Sequence, residues 1–449
     1  MSDYIYMLES HLSADQNRVV AAVREFATEA NLNLFLTGGA MRDMVAGLRI
    51  RDLDFVVEGQ ALKLAASLCE RAGARLVRSD EATKSAELVF EGGVTAQVAM
   101  SRREKYARTG AKPQVFPATI QEDLRGRDFT ANAIALSLNK ASHGLLLDPM
   151  NGLADIGRRE LRAVSAYGFY DDPSRLLRLI RFRVRLGFSI EERTKMQVAN
   201  AREAGVERSI PVRALGEEMK KIAVEDSPGE ILDALEEAGL LALISPVLAG
   251  PKRNQAGIAK YEKGIRLLPD DSAARAARLG PFLYVLTEKL APKEKQAFIK
   301  GLELAKPDVD LWQKLEARSK KLEAALRAPR IRKASQAYQI VSTAAPDEVI
   351  FLLYHSSYKQ VQERLRNYYL KSLPALQEIS PEEWAAVEGK PGTPRYAKAR
   401  QELIADRLDR KPPKVEEPPP GEQPASAALP PDAPASASVT NSAFARRVR

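Results

Sequence analysis

Two carboxylates one residue apart, Asp52 and Asp54, stand at the start of an apolar run, Leu53, Phe55, Val56 and Val57. On a strand, residues i and i+2 point to one face, so the two acids project side by side. Like charges that close repel unless a cation neutralises them, and the rim of an apolar core is a poor place for uncompensated charge. Hard oxygen donors so placed favour magnesium, which binds one or two carboxylates together with substrate phosphates. Upstream, Leu34-Phe35-Leu36-Thr37 reads as a buried strand broken by Gly38-Gly39, with helical spacing from Met41 to Leu48. Backbone N–H groups at such a strand-to-helix bend are unpaired and lack a Cβ beside them, which suits phosphate oxygens. Arg42, one turn into the helix, can add a charge-assisted fork. A bare Gly-Gly taken alone is more often a plain tight turn. With the acid pair behind it, the arrangement points to metal-assisted nucleotidyl transfer.

These residues need a sheet beneath them. Residues 1 to about 30 read as amphipathic helix leading into the first strand, and strands and helices then mix to about Val164. LDFVV, ARLV, AELVFEGG and VTAQVAM are strand-like, the last two joined at Gly92-Gly93 as a hairpin. From Asp172 to about Arg410 the spacing is almost wholly helical. The fold class expected is α+β: a small mixed sheet with helices, followed by an all-helical part. The last 39 residues hold nine of the 27 prolines, and this composition is expected to stay disordered.

At 449 residues the chain has room for two or three domains. A single cysteine, Cys69, excludes a disulfide framework and a four-cysteine zinc site; its apolar helical setting predicts a buried structural thiol. The first residues do not read as a signal peptide and no apolar run reaches bilayer length, so no membrane association and a cytoplasmic location are expected. The net charge of +9 favours a polyanionic partner. Aromatic residues are 6%, with no aromatic-rich platform visible for stacking single-stranded RNA, so phosphate and shape recognition are expected to dominate.

GGAMRD followed by RDLDFVVEG resembles the opening motif of the class II tRNA nucleotidyltransferase and bacterial poly(A) polymerase family, within the DNA polymerase beta-like superfamily. EDLRGRDFTANA, from Glu122, resembles its Arg-Arg-Asp-Phe-Thr-x-Asn-Ala motif; DPMNGLADIGRRELRAV, from Asp148, resembles the segment leading out of its head. DDPSRLLRLIRF, from Asp171, resembles its Glu-Asp-Pro-x-Arg-x-Leu-Arg-x-x-Arg-Phe motif. The resemblance implies a catalytic head at 1–165, a helical neck that reads the base at 166–250, a tRNA-binding body and tail at 251–410, and the proline-rich end at 411–449. It also implies a Mg2+ cofactor, ATP and CTP as nucleotides, and tRNA as the partner through its 3′ end and acceptor or elbow region, with no DNA.

In that reading Asp52 and Asp54 are the catalytic metal ligands, and Gly38, Gly39 and Arg42 hold the triphosphate. Arg127 and Asp128 lie near ribose and phosphates, with Asn132 supporting the same wall. Asp172, Arg175, Arg178 and Arg181 recur at three-residue steps and are expected near one another on one helix, Asp172 and Arg175 reading the base and Arg178 and Arg181 facing phosphate or the helix-lined cleft. A carboxylate accepts from an exocyclic amine and an arginine donates to a ring acceptor, a pattern that C and A share and U and G lack. Three residues depart from the family pattern: Gly126 replaces an arginine, Asp171 a glutamate, and Gln97 stands where relatives carry a carboxylate. The implied activity is template-independent addition of CCA, or part of it, to tRNA. An A-only, CC-only or poly(A) enzyme and a catalytically impaired RNA-binding relative remain as alternatives.

Overall fold

The computed structural model describes residues 3–269, 272–390 and 392–410; the proline-rich end expected to be disordered lies outside them. The amphipathic N-terminal stretch forms two helices, α1 (Asp3–His11) and α2 (Ala14–Glu29). Ser13 breaks it, because its hydroxyl accepts from the Gln16 N–H while the Gln16 side chain accepts from the Ser13 N–H. β1 (Asn33–Thr37) then runs directly into α3 (Gly38–Val45), so the two glycines are the first helical residues, and Gly38 has φ of +64°. A β-carbon is disfavoured at that angle.

β2 (Leu53–Glu58), α4 (Ala61–Arg71), β3 (Arg75–Asp80), β4 (Ser85–Val89) and β5 (Thr95–Met100) follow. Gly92 and Gly93, both at φ +75°, make the expected bend between β4 and β5. β6 (Arg102–Lys105) and β7 (Gln114–Pro117) form a separate hairpin; α5 (Ile120–Gly126), β8 (Ala135–Ser137), β9 (Leu146–Leu147) and α6 (Gly152–Arg158) complete this half. The main sheet is ordered β3-β4-β5-β2-β1-β8-β9, with β2 and β5 parallel and every other neighbour antiparallel.

Alternation along the strands separates the two faces. Leu34, Leu36, Leu53, Phe55 and Val57 enter one core, and Phe35 and Val56 pack on the other side beneath Ile120 and Leu124 of α5. Asp52 and Asp54 share the face of Val56, four and two residues short of it. The α5 lid is where the apolar cover is, and the acids emerge beyond it.

α7 (Gly168–Asp171), α8 (Arg175–Leu186), α9 (Glu192–Glu203), α10 (Val212–Ala223) and the remaining helices to Asp409 make the helical half, interrupted by a parallel pairing of Ser189–Ile190 with Glu160–Leu161. One contiguous apolar cluster runs from Ile5 to Leu365, so the halves share a core. Gly216 of α10 marks how closely helices meet in it: a β-carbon there would stand 2.1 Å from the Leu302 carbonyl oxygen. Gly216→Ala should therefore destabilise by about 3 kcal/mol, because overpacking against backbone exceeds the gain of under about 1 kcal/mol in helix propensity. Denaturant unfolding that shows equal or greater stability would contradict this packing.

Candidate active site

The β1–α3 bend and the β2 acids meet as their spacing predicts. The Gly39 N–H donates to Asp54 Oδ2 at 3.0 Å, and a β-carbon on Gly38 would lie 3.0 Å from the same oxygen. Thr37 Oγ1 donates to the Asp54 carbonyl at 3.4 Å, tying the strand end to the bend. Burial, and then the charge of Asp52, push the Asp54 carboxyl up to about 6; the Gly39 N–H and the fields of Arg127 and Arg42 oppose the rise. Asp52 is more open, with 59% of its side chain exposed, and accepts from Thr95 Oγ1 on β5. An acid pair in mutual repulsion, with Asp52 largely exposed, suits a magnesium ion that takes its other ligands from substrate. Among the described residues no group of three or more acids, histidines or cysteines stands ready for a metal. Gln97 pairs in register with Asp54 on the parallel neighbour β5, placing a neutral amide beside it.

The expected phosphate arginine is held inward. Arg42 Nε donates to Asp43 at 2.8 Å and one of its Nη atoms donates to Asn132 Oδ1 at 2.7 Å, with the guanidinium over the Phe182 ring at 4.8 Å. Asn132 in turn donates to Asp128 Oδ1 at 2.9 Å, and Arg178 donates to Asp128 Oδ2 at 2.9 Å. Burial alone would raise Asp128, but Arg178, the Asn132 amide and Arg175 outweigh it and hold the carboxyl well below the usual range. Arg127, beside them, is fastened to Asp123 at 2.6 Å. Arg42, Asn132, Asp128 and Arg178 thus form one continuous polar wall.

Asp172 is not on the helix with the arginines. α8 begins at Arg175, and Asp172 lies in the turn before it, where its Oδ1 accepts from the Ser174 N–H and hydroxyl. Its Oδ2 stands 3.6 Å from Arg178 Nη2 and 3.9 Å from Arg175 Nε. Arg175 donates to the carbonyls of Gly126 and Arg127, coupling this turn to the Asp128 wall. The buried Nε atoms of Arg175 and Arg178 have no hydrogen-bond partner among the described residues. Donors left so are costly unless a ligand completes them. A side chain at Gly126 would meet open space, so the site is roomier there than with arginine.

Arg181 is a correction. Three residues past Arg178 on α8, its side chain turns away from Asp172 into the interior and donates to Glu218 at 2.5 Å and to Glu225 at 3.0 Å. Its side chain is 5% exposed, so it has no face left for a nucleotide. A strict three-residue step drifts around a helix of 3.6 residues per turn, which is why the third arginine leaves the group.

Two neighbours carry no local sequence signal. Arg275, from the short helix Ser272–Ala276, donates to the Arg51 carbonyl at 3.2 Å and lies 3.9 Å from Asp52 Oδ1. Arg51 itself pairs with Glu225 at 2.9 Å and Asp226 at 2.6 Å. The β6–β7 hairpin also reaches the neck: the Gly110 N–H donates to the Asp171 carbonyl at 3.3 Å, and a β-carbon at Gly110 would fall 2.0 Å from the Ser209 carbonyl oxygen.

Residues 34–162 match the Poly A polymerase head domain family. The chain is 33% identical over 264 residues to a CC-adding tRNA nucleotidyltransferase of Deinococcus radiodurans, covering 59% of this chain and 68% of that one. The chain belongs to the tRNA nucleotidyltransferase family. Another family member, the A-adding tRNA nucleotidyltransferase of Aquifex aeolicus, is 30% identical over 345 residues, 76% of this chain and 40% of its own length. The chain spans less than half the length of the A-adding tRNA nucleotidyltransferases it matches, 40%, 28% and 45% of three of them. A solved CCA-adding enzyme in an apo form shares the fold, with a TM-score of 0.52 and 24% identity over 91% of this chain and 96% of that one. Among the described residues no helix of this tRNA nucleotidyltransferase family member is long and apolar enough to cross a membrane.

Proposed function

We propose that this chain adds nucleotides from CTP and ATP to the 3′ end of tRNA without a template, with magnesium held by Asp52 and Asp54. The observation that carries the reading is the Asp54 carboxylate seated against the Gly38–Gly39 bend with Asp52 beside it. The reaction joins the RNA 3′-oxygen to the α-phosphorus of the NTP and releases pyrophosphate. When bound, magnesium would polarise the hydroxyl and neutralise the leaving group. The chain's own part is positioning, which supplies much of the rate in such transfers. Gly38 and Gly39 seat Asp54 at the bend, and Arg127 with Asp128 and Asn132 faces ribose and phosphates, while Arg42 supports that wall from inside through Asn132. The Asp172 turn with Arg175 meets the base edge, where the Asp172 Oδ2 would accept from the exocyclic amine of C or A and be left unpaired against U or G.

The test is labelled CTP or ATP with magnesium and tRNAs ending before CCA, after C, and after CC. Incorporation of both nucleotides marks the full enzyme, ATP alone on the CC end an A-adder, CTP alone a CC-adder, and long A tails on unrelated RNA a poly(A) polymerase. The neutral Gln97 beside Asp54 favours a second reading, an impaired relative that binds tRNA without extending it. Binding with no incorporation on any of the three tRNAs would establish that one. In the active case Asp172→Ala should narrow the preference for C and A over U and G by at least about tenfold, the worth of one good bidentate base contact. Unchanged selectivity would remove Asp172 from base reading.

A further inference from the structure

The helical half carries a second cleft, of about 350 Å3, lined by Tyr338 and Tyr368 with Arg332, Lys333, Gln360 and Asn367. The two tyrosines come from helices Ala334–Ser342 and the π-helical turn Tyr368–Ser372, and their rings stack at 5.5 Å between centroids and 27° between planes. A π-helical turn is an uncommon device that is frequent at functional sites. Both tyrosines are half-buried, and Tyr369 packs edge-on against Tyr368 with its ring centroid 5.1 Å away. Arg332 and Lys333 on its lining are exposed, and Arg330 and Arg327, the latter over the Tyr358 ring, are exposed within the same seven residues. Arg364 fixes this segment, donating to the carbonyls of Leu326, Ala328 and Ile331. Glu363 on the cleft wall and Asp409, 3.7 Å from Lys333, offset part of that charge and leave the mouth positive.

We propose that this cleft takes an unstacked nucleotide of the RNA partner. The base extends the tyrosine stack, the amides of Gln360 and Asn367 meet its edge, and Arg332 and Lys333 take the flanking phosphates. Aromatic stacking with neighbouring cations is how proteins hold unpaired bases, and the volume falls at the low end of ligand clefts, about 300–1,000 Å3. The inference rests on RNA being the substrate. The pair is not legible in the sequence, because positions 338 and 368 are thirty residues apart and meet only in the fold.

The test uses the full chain and a tRNA transcript lacking CCA, with dissociation constants measured across a salt series beside nucleotide incorporation. Tyr338→Ala should weaken binding about tenfold and raise the KM for tRNA equally, leaving kcat and the salt slope unchanged. Tyr338→Phe and Tyr338→Trp should restore affinity, since either ring can stack. Arg332→Gln should instead reduce the salt slope by about 1. Parental affinity in Tyr338→Ala overturns the proposal, and so does equal loss in the alanine, phenylalanine and tryptophan variants, which would make the ring architectural. A parent protein that binds the transcript but adds nothing overturns the enzymatic reading and leaves the binding comparison decisive for the cleft.

Discussion

Asp54→Ala is expected to lower kcat by about a thousandfold or more while tRNA affinity stays within a factor of about two. A carboxylate that fixes a catalytic cation supports several kcal/mol of transition-state stabilisation, and about 1.4 kcal/mol is worth a factor of ten in rate. RNA affinity should survive because phosphate contacts spread over many cations supply it, and Asp54 contributes none. The fold should survive as well. In the metal-free protein Asp54 is charged at a site where burial and Asp52 both oppose its charge, so its removal relieves repulsion and the melting temperature should be no lower than the parent's. Manganese titration of the variant, followed by the electron paramagnetic resonance of the free ion, should show the site lost. Near-parental turnover, or manganese bound as tightly as by the parent, would take Asp54 out of the chemistry.

Arg181→Ala is expected to cost about 3–5 kcal/mol of folding stability and to leave the choice between nucleotides unaltered. Its guanidinium is shared by Glu218 and Glu225, both almost wholly buried, and removing one partner of a buried ion group leaves its charges uncompensated. Equilibrium unfolding in urea measures the loss. Selectivity among CTP, ATP, UTP and GTP, measured in conditions where the variant is folded, should match the parent. A stable variant with relaxed selectivity would restore Arg181 to the nucleotide.

How legible the site was in the sequence depended on chain distance. The diglycine bend and the Asp52–Asp54 pair were visible because strand alternation and the glycines act over a few residues, and the structure brings them together at Gly39 N–H and Asp54 Oδ2. The α+β division was visible for the same reason, since apolar periodicity changes near Asp172. The position of Arg42 one turn past the bend was visible, but not that Asp43 and Asn132 clasp it, because Asn132 lies ninety residues away. The spacing alone puts Asp172 on the helix, but Pro173 and the Asp172 carboxylate, which accepts from the Ser174 N–H, hold the helix start back to Arg175. Arg275 had no signal at all. In AARAARLG it is one more cation on a helix, and only tertiary packing sets it against Asp52.

The Arg275 and Arg51 contacts have a mechanical consequence. The strand end that carries the first acid is riveted to the helical half, through Arg51 to Glu225 and Asp226 and through Arg275 to the Arg51 carbonyl. Arg51 and Arg275 are therefore struts between distant parts of the chain, and the placement of Asp52 depends on packing more than 170 residues further along it.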